Sequence, residues 1–417
     1  MNHPVPQRSC SMESEEVELT PGRKVALGVQ LLFVAFGSTV LGPVLLGMDP
    51  ATALLTAGVG TLLFHLVTGG KVPIFLGSSF AFIAPIIKAT ELYGFSGALS
   101  GILGVSLVYF AVSALIRWKG MKVIDRLFPP IVIGPIIILI GLSLSGSAVD
   151  MAQENWVVAL VTLAAAVAVT VAGKGMLRMI PIFIGIAAGY IVSLFYGVDL
   201  TPVTEAPLIA LPELHLIDIS WEAVLYMIPV AMAPVIEHIG DVFVVNSVTG
   251  KDFTKDPGLH RTLFGDGLAC LFASLIGGPP VTTYSEVTGA MTITGVKSPQ
   301  VIRIAAVTAI VFSLVGVISA FLQTIPEAVL GGIMMLLFGT IAATGVSTMV
   351  EKKVDMRDSR NIVIFAITMT MGIGGAVISV GGFTLSGVGL SAIAAVILNL
   401  ILPRKKGEGP EGPAEAV

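Results

Sequence analysis

Charge is scarce in this chain. Only 12% of its 417 residues are Asp, Glu, Lys or Arg, where a soluble domain carries about a quarter. With 55% hydrophobic residues and a mean hydropathy of +0.94, a soluble fold has nowhere to bury so much apolar sequence. The chain reads as a polytopic membrane protein. Cysteine is nearly missing: Cys10 lies in a polar tail and Cys270 in an apolar run, so neither a disulfide nor a metal site is expected. No basic stripe accompanies the net charge of -4, which argues against nucleic acid as a partner. No H-E-x-x-H or G-x-S-x-G pattern occurs, and the chain is not read as an enzyme. The first twenty residues are acidic (Glu13, Glu15, Glu16, Glu18), the wrong character for a cleavable signal peptide. That tail and the Gly/Pro/Glu-rich end after Leu402 are expected to be disordered cytoplasmic extensions.

What is present in abundance is apolar sequence broken by Pro, Gly or charge. The runs fall at 26–47, 51–69, 72–87, 95–116, 128–145, 156–172, 179–196, 222–245, 260–276, 280–295, 301–322, 327–346, 360–379 and 384–402. These make fourteen spans, of which 72–87 and 280–295 are short for a crossing of about 20 residues. With the N-terminus inside, every basic residue except Lys88 falls on the cytoplasmic side, and the outer segment 197–221 holds four acids and no Lys or Arg. A miscount by one span would destroy this segregation, so the positive-inside bias supports fourteen spans with both ends in the cytoplasm.

The spans repeat. Pro129 and Pro326 stand 197 residues apart, Gly141 and Gly339 198 apart, and the two short segments, around Ser79 and Tyr284, 205 apart. Seven spans per half is odd, so the second half enters from the opposite side, an arrangement characteristic of secondary transporters. Coincidence is the bland alternative, since Pro and Gly are common in membrane helices. The short segments, Lys71–Phe82 and Gly277–Glu286, are too rich in Pro, Gly and β-branched residues to begin as helix. Unwound backbone at membrane depth is tolerated only when buried in protein or lining an aqueous cavity. Two half-helices starting there would aim free N–H groups and positive dipole ends at one place, with Ser78, Ser79, Thr282, Thr283 and Ser285 as candidate caps. Plain re-entrant plugs are the structural alternative.

Three acids stand in this apolar neighbourhood: Glu237, Asp241 and Glu286. A charge inside the bilayer costs several kcal/mol unless it faces a polar cavity or takes up a proton. Glu237 and Asp241 lie one helical turn apart on one face, and Glu286 begins the second half-helix. Ionised carboxylates accept hydrogen bonds from ligand N–H groups while half-helix N–H groups donate to ligand carbonyls, which suits a neutral ligand rich in N–H donors. Acids crowded in such a site can share a proton that enters with the ligand. A polar contact between helices, or a Na⁺ site, is the competing reading for Glu237 and Asp241. Asp266 is expected near Arg261 or Lys255 as structural support. His65 reads as a packed histidine, His238 as a support for Glu237, and Gln30 as a brace. Phe80 suits stacking on a flat ring or plain packing.

At these residues the chain resembles the nucleobase–ascorbate (NCS2) transporters, closest in pattern to bacterial uracil permeases. The matching pieces are Ala-Phe-Gly-Ser-Thr-Val-Leu-Gly-Pro (35–43), Pro-Ile-Phe-Leu-Gly-Ser-Ser-Phe-Ala-Phe (73–82), Ile-Glu-His-Ile-Gly (236–240), Lys-Asp-Pro-Gly-Leu-His-Arg (255–261) and Thr-Thr-Tyr-Ser-Glu (282–286). The resemblance implies an all-α fold of two inverted seven-span repeats, with short strands before the third and tenth helices. It implies a core domain (24–116 and 221–323) moving as an elevator against a gate domain (117–220 and 324–403), with tails at 1–23 and 404–417. It implies proton-coupled nucleobase uptake, dimerisation through the gate domains, and an inner-membrane location with no cofactor beyond the coupling ion.

Carried over residue by residue, Glu237 and Glu286 would bind the base, Phe80 and Ser285 would offer backbone contacts, and Tyr284 would pack beside the ring. Asp241 would be the coupling residue with Glu237, and Gln30, Ser79 and Asp266 would support the site. Four positions depart from the uracil-permease pattern: Asp241 replaces a His, Leu31 follows Gln30 where a His is expected, Val287 follows Glu286 where an Asn is expected, and Gly295 after Thr294 resembles purine-type members. They leave open the coupling ion, H⁺ or Na⁺, and the base itself, a uracil-like pyrimidine or a purine such as xanthine. An anion transporter on the same inverted-repeat fold is a rival reading, disfavoured by Glu286. A passive channel is another.

Overall fold

The computed structural model describes residues 20–175, 177–380 and 383–403. Of the two expected tails, 1–19 and 404–417 lie outside the described residues. The first half contains α1 (Pro21–Leu45), α2 (Pro50–Val67), β1 (Leu76–Ser78), α3 (Ile83–Lys119), α4 (Lys122–Leu127), α5 (Pro130–Ser143), α6 (Ser145–Gln153), α7 (Trp156–Ala172) and α8 (Pro181–Ser193). A long connection containing α9 (Thr201–Glu205) leads to α10 (Trp221–Val230), α11 (Met232–Thr249), α12 (Leu259–Ile276), β2 (Val281–Thr283), α13 (Ser285–Thr294), α14 (Pro299–Ser313) and α15 (Gly316–Gln323). The chain ends with α16 (Glu327–Glu351), α17 (Ser359–Ile373), a hairpin of β3 (Val377–Val380) and β4 (Phe383–Ser386), and α18 (Gly387–Ile401).

Local chemistry explains the boundaries. Proline occupies the first turn of α1, α2, α5, α8 and α14, where its missing N–H costs nothing. Asp49 caps α2 through the Ala51 N–H, and Asn155 caps α7 through Val157 and Val158. Gly94, at φ 74° and ψ 167°, breaks α3 into two pieces. Pro229 lies inside α10, and α10 and α11 meet at a bend of 43°, as expected where proline removes a helical hydrogen bond. Among the described residues, six helices are long and apolar enough to cross a membrane, or seven if α10 and α11 form one span. The chain is a mostly helical, multi-pass membrane protein.

The stretch 360–379 was expected to be wholly helical, but α17 stops at Ile373 and the chain turns into the β3–β4 hairpin. Gly374 and Gly375 sit at the stop, with Gly375 at φ 65°, a left-handed position where glycine is favoured.

Helix packing falls into two groups. In one, α3 packs on α10 and α12, α2 on α12 and α14, and α1 on α2 and α14; in the other, α16 packs on α5, α6, α7 and α8, and α17 on α5 and α18. The halves mirror each other: α1 on α14 answers α10 on α3, α2 on α14 answers α12 on α3, and α7 on α8 answers α18 on α17. Two apolar clusters lie against the segment after β1. Phe80 packs on one with Phe36, Ile83, Val329 and Phe338, and Ala81 on another with Ile131, Ala233 and Ile364. The two groups therefore meet beside the broken segments.

Candidate functional site

The broken segments pair with each other. β1 runs antiparallel to β2, with Leu76 opposite Thr283, Gly77 opposite Thr282 and Ser78 opposite Val281. The ladder is extended by Ser79 N–H to the Pro280 carbonyl at 2.9 Å and Tyr284 N–H to the Phe75 carbonyl at 3.1 Å. Both strands are fully buried. Pairing thus satisfies backbone that would otherwise be stranded at membrane depth. One short helical turn, Phe80–Phe82 leading into α3, and α13 each start at this crossing, and their first N–H groups have no intrahelical acceptor. Gly77 is required by contact: a Cβ there would meet the Tyr284 ring.

The three carboxylates converge on the crossing. Asp241, buried on α11, accepts hydrogen bonds from the Thr283 and Ser285 hydroxyls, one on each oxygen. Glu286 accepts from the Ser38 hydroxyl at 3.4 Å and from its own backbone N–H. Glu237, one turn from Asp241, lies within electrostatic reach of Asp241, Glu286 and Asp266. Glu237, Ser285 and Glu286 are exposed although they flank the buried strand crossing on α11 and α13. Neither glutamate has a Lys or Arg partner among the described residues. Their acceptor oxygens are therefore available to a ligand.

Behind them lies a buried polar network. His238 Nδ1 is 2.9 Å from Asp266 Oδ2, and its Nε2 is 3.0 Å from the Thr262 hydroxyl. Thr282 donates to the same Asp266 oxygen at 3.3 Å, and the Tyr109 phenol lies 3.3 Å from Thr282. The expected pairing of Asp266 with Arg261 or Lys255 does not form, because Asp266 faces α11 instead and Lys255 pairs with Asp252 at 3.0 Å. His238 thus supports the site through α12 and β2. His65 is a packed histidine, with Nε2 3.1 Å from the Ile74 carbonyl.

The hydroxyl residues do not serve as helix caps. Ser79 and Tyr284 hold the N-cap positions without a side-chain cap bond. Ser78 lies 3.1 and 3.2 Å from the carbonyls of Ser38 and Thr39, while Thr282, Thr283 and Ser285 serve the aspartates. Buried carboxylates are stronger acceptors than anything else nearby. Tyr284 packs with Phe75 and donates to the Ser78 carbonyl at 2.8 Å. Gln30 makes no bond to the carboxylates, and its buried Nε2 has no partner among the described residues. Phe80 is half-buried at the crossing. Leu31 and Val287, 2% and 1% exposed, lie in one apolar cluster with Tyr284 and Met291, so the two departures from the expected polar pattern occupy shared packing. Ser38, on Glu286, is the residue sequence reasoning did not single out; its signal was a Ser–Thr pair in an otherwise apolar helix.

Comparison with known proteins gives a consistent picture. The sequence model of a family described as "Permease family", the xanthine–uracil permeases, matches residues 22–381. The chain is 50% identical over 392 residues to a probable uracil permease of Haemophilus influenzae, covering 92% of this chain and 95% of the relative. It is 44% identical over 401 residues to the uracil permease of Bacillus caldolyticus, covering 92% and 93%. With the uracil permease of Escherichia coli K12 it shares 39% over 389 residues, covering 90% of each. In fold it is similar to the transmembrane domain of the cyanobacterial bicarbonate transporter BicA, at TM-score 0.63 and 16% identity, over 90% of this chain and 96% of that one. It is also similar to the murine anion transporter Slc26a9, at TM-score 0.67 and 12% identity, over 90% and 67%.

Proposed function

Because the chain belongs to the xanthine–uracil permease family, we propose that it is a secondary active transporter that carries uracil or a close pyrimidine relative across the membrane with a coupled proton. The observation that carries this reading is the paired crossing of β1 and β2, with Glu237 and Glu286 beside it unpaired by any cation among the described residues. The full-length relatives are named uracil permeases.

A uracil ring offers two N–H donors and two carbonyl acceptors along its edge. Glu237 and Glu286 accept the N–H groups, and the free backbone N–H groups at Phe80 and at the start of α13 donate to the carbonyls. Phe80 and Tyr284 flank the base. Asp241 is the coupling residue: it bears on the same crossing through Thr283 and Ser285, so its protonation is felt where the base binds. A Na⁺ ion is the second reading, favoured by the oxygen-rich surroundings of Asp241.

The mirrored packing supports fourteen spans arranged as two inverted seven-span repeats, with both termini in the cytoplasm as the basic residues indicate. In this scheme the group built on α1–α3 and α10–α14 carries the base as an elevator against the group built on α5–α8 and α16–α18, which pairs two copies into a homodimer.

Thermal unfolding of the purified protein tests the binding claim, since a ligand that binds only the folded form raises the midpoint. Uracil is expected to raise it, and Glu237→Gln or Glu286→Gln to remove the shift. A shift from bicarbonate or sulfate but not from any nucleobase would refute the reading.

A further inference from the structure

The end of α3 and the Thr254, Leu259 and His260 segment take no part in the carboxylate site, yet with Phe243 of α11 they line an open cavity of about 420 Å³. Ile116, Met121, Phe243 and Leu259 make its apolar side, and Arg117 and His260 its polar side. Ser113 donates to the His260 carbonyl at 2.6 Å, tying α3 to the start of α12. Arg117 and His260 both line the cavity, and Arg261 follows His260 near the start of α12. The nearby acids are engaged elsewhere, Asp252 with Lys255 at 3.0 Å and Asp256 with Lys71 at 2.6 Å. Neither Arg117 nor Arg261 has a carboxylate partner among the described residues. Trp118 is 78% exposed beside them, with the Lys119 ammonium 4.7 Å from its ring centre.

The Arg117 guanidinium on the cavity wall and Arg261 next in sequence to the lining His260, beside an apolar surface, fit an amphiphile, an anion joined to a hydrocarbon chain. Exposed Trp with flanking Arg and Lys is the pattern of a membrane–water interface. A small soluble anion would be drawn by the arginines but would gain nothing from Phe243, Met121 and Leu259. Arginine also matches phosphate oxygens with two parallel N–H groups.

We propose that this cavity binds an anionic phospholipid, with Arg117 and Arg261 on the phosphate, His260 beside the headgroup and an acyl chain along Phe243 and Leu259. The cavity lies on α3, α11 and α12, in the same packing group as the carboxylates, so a bound lipid tethers the substrate-bearing helices to one leaflet. The leaflet's identity, cytoplasmic, rests on the orientation proposed above; the lipid site does not.

Native mass spectrometry of the purified protein in neutral detergent tests this, with phosphatidylglycerol, phosphatidylcholine and glycerol 3-phosphate as separate probes. Phosphatidylglycerol is expected to bind more tightly than phosphatidylcholine, and glycerol 3-phosphate not to bind. Arg117→Gln and Arg261→Gln should each weaken phosphatidylglycerol binding about fivefold, Arg117→Lys should keep most of it, and Lys352→Gln on another loop should leave it unchanged. Undiminished phosphatidylglycerol binding by the Arg117→Gln/Arg261→Gln double variant, or equal binding of phosphatidylcholine, overturns the proposal. Binding of glycerol 3-phosphate as tightly as the lipid also overturns it, in favour of a soluble anion. The uracil-induced midpoint shift, read on the same samples, reports folding and the carboxylate site separately.

Discussion

The Tyr284 phenol donates a hydrogen bond to the Ser78 carbonyl at 2.8 Å, joining a side chain of the second half to the backbone of the first. Its ring lies where a Cβ on Gly77 would be. The crossing is therefore locked by shape as well as by the strand ladder. Tyr284→Phe should remove this bond and the weaker one that the hydroxyl accepts from Thr39 at 3.4 Å, about 1–2 kcal/mol together, and lower the thermal midpoint modestly. Gly77→Ala should cost more, about 1–3 kcal/mol, because ring and backbone must separate. Equal midpoints for Gly77→Ala and wild type would show that the crossing is loosely packed.

Asp241 receives the hydroxyls of Thr283 and Ser285. Asp241→Asn keeps the size and one acceptor but removes the carboxylate proposed to bind the coupled ion. Uracil exchange between two equal pools should persist, because exchange needs no net ion movement, while accumulation driven by an ion gradient should fall to background. Gradient-driven accumulation at the wild-type level in this variant would remove Asp241 from coupling. Running the assay with a proton gradient and no Na⁺, then the reverse, identifies the ion.

His238 and Asp266 are both fully buried at 0% exposure, and Asp266 Oδ1 has no partner among the described residues. Removing the imidazole leaves a buried carboxyl with only the Thr282 donor, a loss of about 3–5 kcal/mol where such a pair is broken one-sidedly. His238→Ala should therefore lower the thermal midpoint much more than Ser285→Ala, which removes an exposed donor to Asp241. His238→Ala with an unchanged midpoint would make the network dispensable.

Much of this architecture was legible in the sequence because lipid imposes strong constraints. A helix must be apolar and long, so the runs and breaks stand out, and Pro and Gly in 71–82 and 277–284 announce non-helical backbone. The three acids were conspicuous for the same reason. What escaped were pairings between segments distant in sequence. Ser38 on Glu286, Thr283 and Ser285 on Asp241, and His238 on Asp266 each join residues at least 28 positions apart, and no periodicity encodes them. Asp266 looked like a partner for Arg261 because proximity in sequence was the only guide. The β3–β4 hairpin was hidden because its residues are as apolar as the helices around it.

The central claim is that Glu237 and Glu286 hold a nucleobase whose entry is driven by an ion gradient. The most direct measurement is accumulation of labelled uracil by proteoliposomes under an inward proton gradient. The wild-type protein should concentrate uracil above the external level, and Glu237→Gln and Glu286→Gln, reconstituted in equal amounts, should not. Wild-type accumulation by both variants would contradict the account.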